Sequence, residues 1–241
     1  MRDKNVLGEL LRRYSSSWFV IRLFSQAMFW GNWLLWLQGR RGYELAKRIL
    51  DIVISSLSLV FLSPLMLFLA IAIKVTDRGP ILYTHQRIGR WGEPFRCPKF
   101  RSMIVNADKI LGEIRDLNDH GQSVTFKMKR DPRITRIGAF MRKLSLDELP
   151  QLWSVLAGHM SLVGPRPALP DEVEAYSLHQ RRRLDVRPGI TCIWQVSGRG
   201  DIPFERQAEM DIEYIERQTL RTDIVLLFRT IPAVLGGRGA Y

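Results

Sequence analysis

From Ile52 to Ile73 the chain runs about 22 residues without a charge, long enough as a helix to cross a hydrocarbon core of roughly 30 Å. Hydropathy alone reads such a stretch as a spanning helix. Two features oppose that reading. Ser63-Pro64 falls in its middle, and a proline there removes a backbone donor and clashes with the preceding turn, which predicts a kink or a break. The Ser63 hydroxyl is placed to satisfy carbonyls that the proline frees. The flanks supply the second objection: Arg40, Arg41, Lys47 and Arg48 precede the stretch, and Lys74, Arg78, Arg87, Arg90 and Arg96 follow it. A spanning helix carries its cations on one side. A bent, re-entrant helix over residues 49–75, with both ends on one face of the bilayer, resolves the conflict. The stretch starts too far into the chain, and lacks the small-residue cleavage site, to be a signal peptide.

Length and charge bound the rest. A chain of 241 residues holds one core-forming domain with an appendage. The formal charge of +12 calls for an anionic partner. Nucleic acid is not that partner: the basic residues are spread along the chain, with no helix-turn-helix, zinc-finger or RNP signature. Cys97 and Cys192 lie far apart in no metal or redox motif and fit a reducing compartment. The four histidines are scattered, so a zinc or iron site is not supported. The leader from about Trp18 to Leu37 carries four tryptophans, which favour the headgroup level; its polar residues suit an interfacial helix, and a second span stays open over residues 14–37.

The expected order is mainly helical. Ile81–Arg87 and Phe95–Met103 form a hairpin around Gly89–Glu93, and a helix covers Ala107–Leu117. Further helices cover Ile137–Leu144 and Leu146–Leu156, split at Ser145, then Asp171–Leu184 and Pro203–Glu216. Ile224–Phe228 and Ile231–Leu235, punctuated by Arg229 and Pro232, either lie on the bilayer or enter the core.

Ser145-Leu146-Asp147-Glu148 reads first as a capping box, with Ser at the N-cap and Glu three residues on. A functional reading competes. Adjacent carboxylates point about 100° apart on a helix and still converge on one ligand, one as nucleophile and one holding a cation. Arg142 and Lys143 beside Asp147 are expected to keep it ionised, as a nucleophile requires. Three further cations sit where proline or glycine shapes the backbone: Lys99 in Lys99-Phe100-Arg101-Ser102, Arg166 in Gly164-Pro165-Arg166-Pro167, and Arg199 in Ser197-Gly198-Arg199-Gly200. Such loops fix a cation for phosphate, though taken singly each is an ordinary surface charge. No P-loop, dinucleotide fingerprint or nucleophilic triad is present.

Lys47-Arg48 with Asp51, Ser63-Pro64, Lys99–Met103, Asp131–Thr135, Leu146–Gln151, Ser161–Pro167, Arg187-Pro188-Gly189, Trp194–Arg199 and the closing Gly239-Ala240-Tyr241, in that order, closely resemble the bacterial sugar transferase family. These are the monotopic polyprenyl-phosphate phosphoglycosyl transferases, and the match runs from about Tyr43 to Tyr241. The resemblance implies an α+β, mainly helical, monotopic membrane protein. It would have a re-entrant helix broken at Ser63-Pro64, a small β-hairpin and interfacial amphipathic helices. Residues 1–42 would form a Trp-rich extension and 43–241 the catalytic domain, on the cytoplasmic face of the bacterial inner membrane. The enzyme would move a sugar-1-phosphate from a UDP-sugar to undecaprenyl phosphate, starting a surface glycan such as an exopolysaccharide. Asp147 matches the family's nucleophile, which attacks the β-phosphorus, expels UMP and holds the phosphosugar, giving ping-pong kinetics. Glu148 matches the partner that binds Mg²⁺. Arg142, Arg166 and Arg199, with Lys99, match cations of the phosphate and nucleotide site. The sugar and the oligomeric state, a homo-oligomer included, stay open, and residues 1–42 are too short for the multi-span bundle of larger relatives. Two other readings compete: a nucleotide-sugar pyrophosphatase in which water resolves the intermediate, and a basic membrane-anchored scaffold in which Asp147-Glu148 is only a cap.

Overall fold

The computed structural model describes residues 39–107, 109, 131–237 and 239. The expected Trp-rich interfacial helix, most of the helix expected over Ala107–Leu117, and the closing Ala240-Tyr241 lie outside them. The chain divides between Lys47 and Arg48 into two units, the second being Arg48–Tyr241.

Helix α1 runs Arg40–Asp77, 38 residues, with the apolar stretch at its centre. It is long and apolar enough to cross a membrane, and little of that stretch is buried: Val60, Phe61, Leu67 and Phe68 are exposed. The expected interruption at Ser63-Pro64 is not an interruption of the helix, which continues through Pro64. The reason is local. Pro64 cannot donate to the carbonyl four residues back, that of Val60, and Ser63 Oγ donates to that same oxygen at 2.8 Å.

Strands β1 (Leu82–Ile88) and β2 (Pro94–Phe100) form the expected antiparallel hairpin, with Leu82 opposite Phe100 and Ile88 opposite Pro94. Helix α2 (Arg136–Lys143) is capped by Thr135, whose side chain accepts from the Gly138 amide at 3.0 Å. The Thr135 amide donates to Ser102 O, and a Cβ on Gly138 would collide with the Ser102 backbone. The Asp131–Thr135 turn thus seats α2 on the end of β2. The Arg133 guanidinium holds Asp131 by two oxygens, at 2.9 and 2.7 Å. Ser145 ends this region with φ +52, a left-handed turn, and a short 3-10 turn follows at Leu146–Glu148.

Helix α3 (Gln151–Ala157) ends at Gly158, φ +90. Strands β3 (Ser161–Val163) and β4 (Gly189–Thr191) pair in parallel, an element the sequence reading did not contain. Gly164 and Gly189 meet there so closely that a side chain on Gly189 would strike the Gly164 backbone. Between the strands, the single helix expected over Asp171–Leu184 is two pieces: α4 (Pro170–Glu174) and a 3-10 turn at Gln180–Leu184. The break is chemical. The Ser177 amide donates to Gln180 Oε1 while the Gln180 amide donates to Ser177 Oγ, a reciprocal cap that starts a new turn. Helices α5 (Ile193–Ser197), α6 (Phe204–Glu216) and α7 (Leu220–Gly236) complete the unit. On α7, Asp223 and Leu226 are buried while Phe228, Ile231 and Leu235 are exposed, so the two apolar runs divide between core and surface.

The main core gathers Phe95, Cys97, Val155, Met160, Val163, Tyr214 and Leu226, with Leu50, Ile54 and Leu59 of α1 packed against it. A second core joins Leu69 and Ile73 of α1 to Phe100 and Met141. Helix α1 therefore packs on this body on both sides of Pro64. Arg48 donates to the last-turn carbonyls Val155 O and Leu156 O of α3, at 2.6 and 2.7 Å, oxygens that lack the i+4 amide partner of a helix interior. One turn on, Asp51 is buried, and its Oδ1 accepts from the Leu162 amide at 2.9 Å and Ser161 Oγ at 3.1 Å.

Candidate active site

The turn Leu146–Glu148 lies in a cleft of about 660 Å³. The structure brings Asp147, Glu148, Lys99, Arg142, Arg166 and Arg199 together there, from four separate segments of the chain. Ser63 and Pro64 do not line it, but Ser58 and Leu62 of the same helix do, facing Ile231 and Val234 of α7. One wall is therefore apolar and shared with the membrane-type helix, while the floor is ionic.

The capping-box reading of Ser145–Glu148 fails. Ser145 makes no side-chain cap, and Glu148 turns the other way: Lys99 Nζ donates to its Oε1 at 2.6 Å, and Arg166 Nη1 stands 3.7 Å from that oxygen. A non-glycine residue at φ +52 beside two carboxylates is strain of the kind that collects at functional sites.

The two carboxylates are driven apart. Burial favours the neutral form of Glu148, but Lys99, Arg166 and Arg87 outweigh it and bring its pKa down to about 2. Asp147, 7% exposed, is pushed above its ordinary value, by burial first and by the charge of Glu148; Lys99 and Arg142 oppose the shift without reversing it. Of the two cations expected to keep Asp147 ionised, Arg142 acts in that direction. Lys143 is exposed and is not among the groups that set the Asp147 proton affinity. A fixed anion beside a more basic carboxylate is an arrangement suited to divided roles.

Each cation has its own mount. Arg142 Nε donates to Ser102 Oγ at 3.1 Å. Arg166 rides the loop after β3, and Arg87 Nη1 clasps that loop at Pro167 O, 3.0 Å. Arg199 holds φ +53, and the Gly200 amide beside it donates to Gly239 O at 3.1 Å. Gly239 itself has φ +65, and a Cβ there would come within 2.6 Å of Gly198 O, so this approach of the C-terminal segment requires glycine. Arg87 Nε and Arg199 Nη1 are buried donors with no acceptor, a rarity in folded chains.

The sequence reading missed Arg87, which it counted only as a flank of the apolar stretch. It also missed Glu172, and it gave Trp194 and Gln195 no role although all of these line the cleft. Alternation along β1 was the sole available signal for Arg87. Both thiols are fully buried, and burial pushes them up, well up at Cys192, so neither is reactive.

Among the described residues no set of three His, Cys, Asp or Glu groups surrounds a common point. Glu148, ionised and beside Asp147, would offer Mg²⁺ one carboxylate ligand, with substrate phosphates and water completing the shell.

The profile of a family described as bacterial sugar transferase matches residues 42–237. The undecaprenyl-phosphate galactose phosphotransferase of Salmonella typhimurium is 47% identical over 206 residues, 84% of this chain and 43% of that protein. The exopolysaccharide production protein ExoY of Sinorhizobium fredii is 44% identical over 200 residues, 82% of this chain and 88% of its own length. The UDP-glucose:undecaprenyl-phosphate glucose-1-phosphate transferase of Xanthomonas campestris pv. campestris is 38% identical over 207 residues, 83% of this chain and 40% of that protein. The chain thus spans less than half the length of the Salmonella and Xanthomonas relatives and most of ExoY.

Proposed function

The chain belongs to the bacterial sugar transferase family, and on that premise we propose that it transfers a sugar-1-phosphate from a UDP-sugar to undecaprenyl phosphate. The observation that carries this reading is the pairing of Asp147 and Glu148 on the floor of an arginine-lined cleft whose other wall is the apolar helix α1. A diphosphate donor suits the guanidinium groups. A lipid acceptor suits the apolar wall, and two of the relatives are named for undecaprenyl phosphate.

Asp147 is the nucleophile. Its carboxylate oxygen forms a bond to the β-phosphorus, the bond from that phosphorus to the bridging oxygen breaks, and UMP leaves with the electron pair. An oxygen of the lipid phosphate then attacks the aspartyl-bound phosphorus and releases the Asp147 carboxylate. The raised proton affinity of Asp147 makes its anion a better nucleophile than an ordinary aspartate. Arg142, Arg166 and Arg199 bind and orient the diphosphate, with the unpartnered Arg87 Nε and Arg199 Nη1 supplying donors. Glu148 would hold Mg²⁺, which supplies charge neutralisation at the diphosphate when bound.

Membrane attachment follows the same reading. Helix α1 packs on the charged body on both sides of Pro64, and an upright span would drag that body into the hydrocarbon. A re-entrant course, with the catalytic unit on the cytoplasmic face of the inner membrane, keeps the cleft in water and Phe61 and Phe68 in lipid.

The test is UMP release by wild type and Asp147→Asn with Mg²⁺ across a panel of UDP-sugars, with and without undecaprenyl phosphate. We expect one sugar to give a single-turnover burst without lipid, a covalent adduct by intact mass, and turnover with lipid. Asp147→Asn should lose all three, by at least about 10³-fold. Continued UMP release without lipid would indicate hydrolysis, undiminished release in Asp147→Asn would exclude Asp147 as the nucleophile, and no release from any UDP-sugar by folded wild type would favour the scaffold.

A further inference from the structure

The contact between Lys99 and Glu148 is close at 2.6 Å, and both side chains are mostly shielded, at 19% and 16% exposure. Of the neighbouring cations, Arg142 is tied to Ser102 and Arg87 to Pro167, while Arg166 Nη1 stands farther from Glu148 Oε1, at 3.7 Å. Arg183 is neutralised by Asp211. Lys99 differs from them because it is the cation that hydrogen-bonds the very carboxylate a metal would need. It is also an ammonium, a point charge on a flexible stem that changes partners without rebuilding its loop, as a guanidinium fork does not.

The surroundings sharpen the conflict. With Arg183 set aside, five cationic side chains face three carboxylates, Asp147, Glu148 and Glu172, among the described residues of the cleft. A free divalent cation entering meets a net positive field and a carboxylate already taken. A bound diphosphate reverses the sign of that field and offers Lys99 another anion.

We propose that Lys99 is a place-holding counter-ion. It occupies Glu148 before substrate binds, and it passes to the donor's diphosphate as a divalent metal, arriving with that diphosphate, takes Glu148. This rests on the donor and metal reading above and adds an order to it: metal and diphosphate enter together, and metal alone binds poorly.

The experiment uses the full chain in lipid nanodiscs, Mn²⁺ as a spectroscopic probe for Mg²⁺, and UDP as an unreactive diphosphate. Mn²⁺ binding is read by electron paramagnetic resonance, not by turnover. Wild type should bind Mn²⁺ at least about tenfold more tightly with UDP than without it. Lys99→Met should bind Mn²⁺ alone about tenfold more tightly than wild type does, Lys99→Gln should match it, and Lys99→Arg, which keeps the charge, should stay close to wild type. Equal affinity for Mn²⁺ alone in wild type and both neutral variants overturns the exchange and leaves the metal assignment standing. No Mn²⁺ binding by any of these proteins, with UDP bound, overturns both.

Discussion

Glu148 and Asp147 are adjacent on one short turn, yet their surroundings move their proton affinities in opposite directions. The consequence for stability has a definite sign. Glu148 has a folded pKa near 2, against roughly 4.3 in an unfolded chain. It therefore stabilises the fold above the unfolded value, by an amount on the order of 3 kcal/mol, and that contribution is lost as pH falls from about 4 toward 2. In Glu148→Gln the unfolding temperature at pH 7 should drop, because Lys99 and Arg166 lose their anion, but the decline between pH 4 and 2 should be shallower than in wild type. Thermal unfolding of both proteins across that range checks it, and equal slopes would contradict the ion-pair account. Asp147, Glu148, Arg142, Arg166 and Arg199 were legible because proline, glycine and paired carboxylates mark them locally. Arg87 and Glu172 were not, since a lone charge on a strand or a short helix looks like any surface charge until the fold encloses it.

Helix α1 is held by two contacts one turn apart, and they explain why Lys47-Arg48 and Asp51 travel as a motif. Arg48 serves the exposed end of α3, and Asp51 serves the start of β3. Asp51→Ala leaves a buried amide and a buried hydroxyl without an acceptor, which should cost about 3 kcal/mol. We expect a clear fall in unfolding temperature, with burst UMP release per folded molecule preserved. A neutral result would mean that the apolar packing of Leu50 and Ile54 alone anchors the helix. The hairpin, α2, α3 and α6 were readable from periodicity and turn residues. Strands β3 and β4 were not: three residues carry no period, and their pairing joins segments separated by α4 and a 3-10 turn. The Ser177–Gln180 cap was available as a Ser-x-x-Gln spacing and was overridden by the charge pattern of a longer helix.

On the proposed re-entrant reading, a charged body that meets one apolar helix on both sides of its proline keeps both ends of that helix on one face of the bilayer. Both native cysteines are buried, so Ile49→Cys and Thr76→Cys, at exposed positions on either side of the apolar stretch, report topology cleanly. An impermeant maleimide should label both in inside-out vesicles and neither in intact spheroplasts. Labelling of Thr76→Cys alone from outside would show a spanning helix and end the re-entrant reading. Hydropathy, the Ser63-Pro64 pair, the turn chemistry and the family motifs are written along the chain at contiguous or fixed spacings, so the amino-acid order suffices for them: a mainly helical member of the bacterial sugar transferase family, with a helix apolar enough to enter a membrane and its carboxylate pair at 147 and 148. Which cations reach those carboxylates is another matter. Lys99 lies 49 residues from Glu148 in the chain and 2.6 Å from it in space, and both Coulomb attraction and the cost of burial depend on that second distance. A sequence counts charges; folding sets their separations, and the separations make one carboxylate a fixed anion and raise the proton affinity of the other.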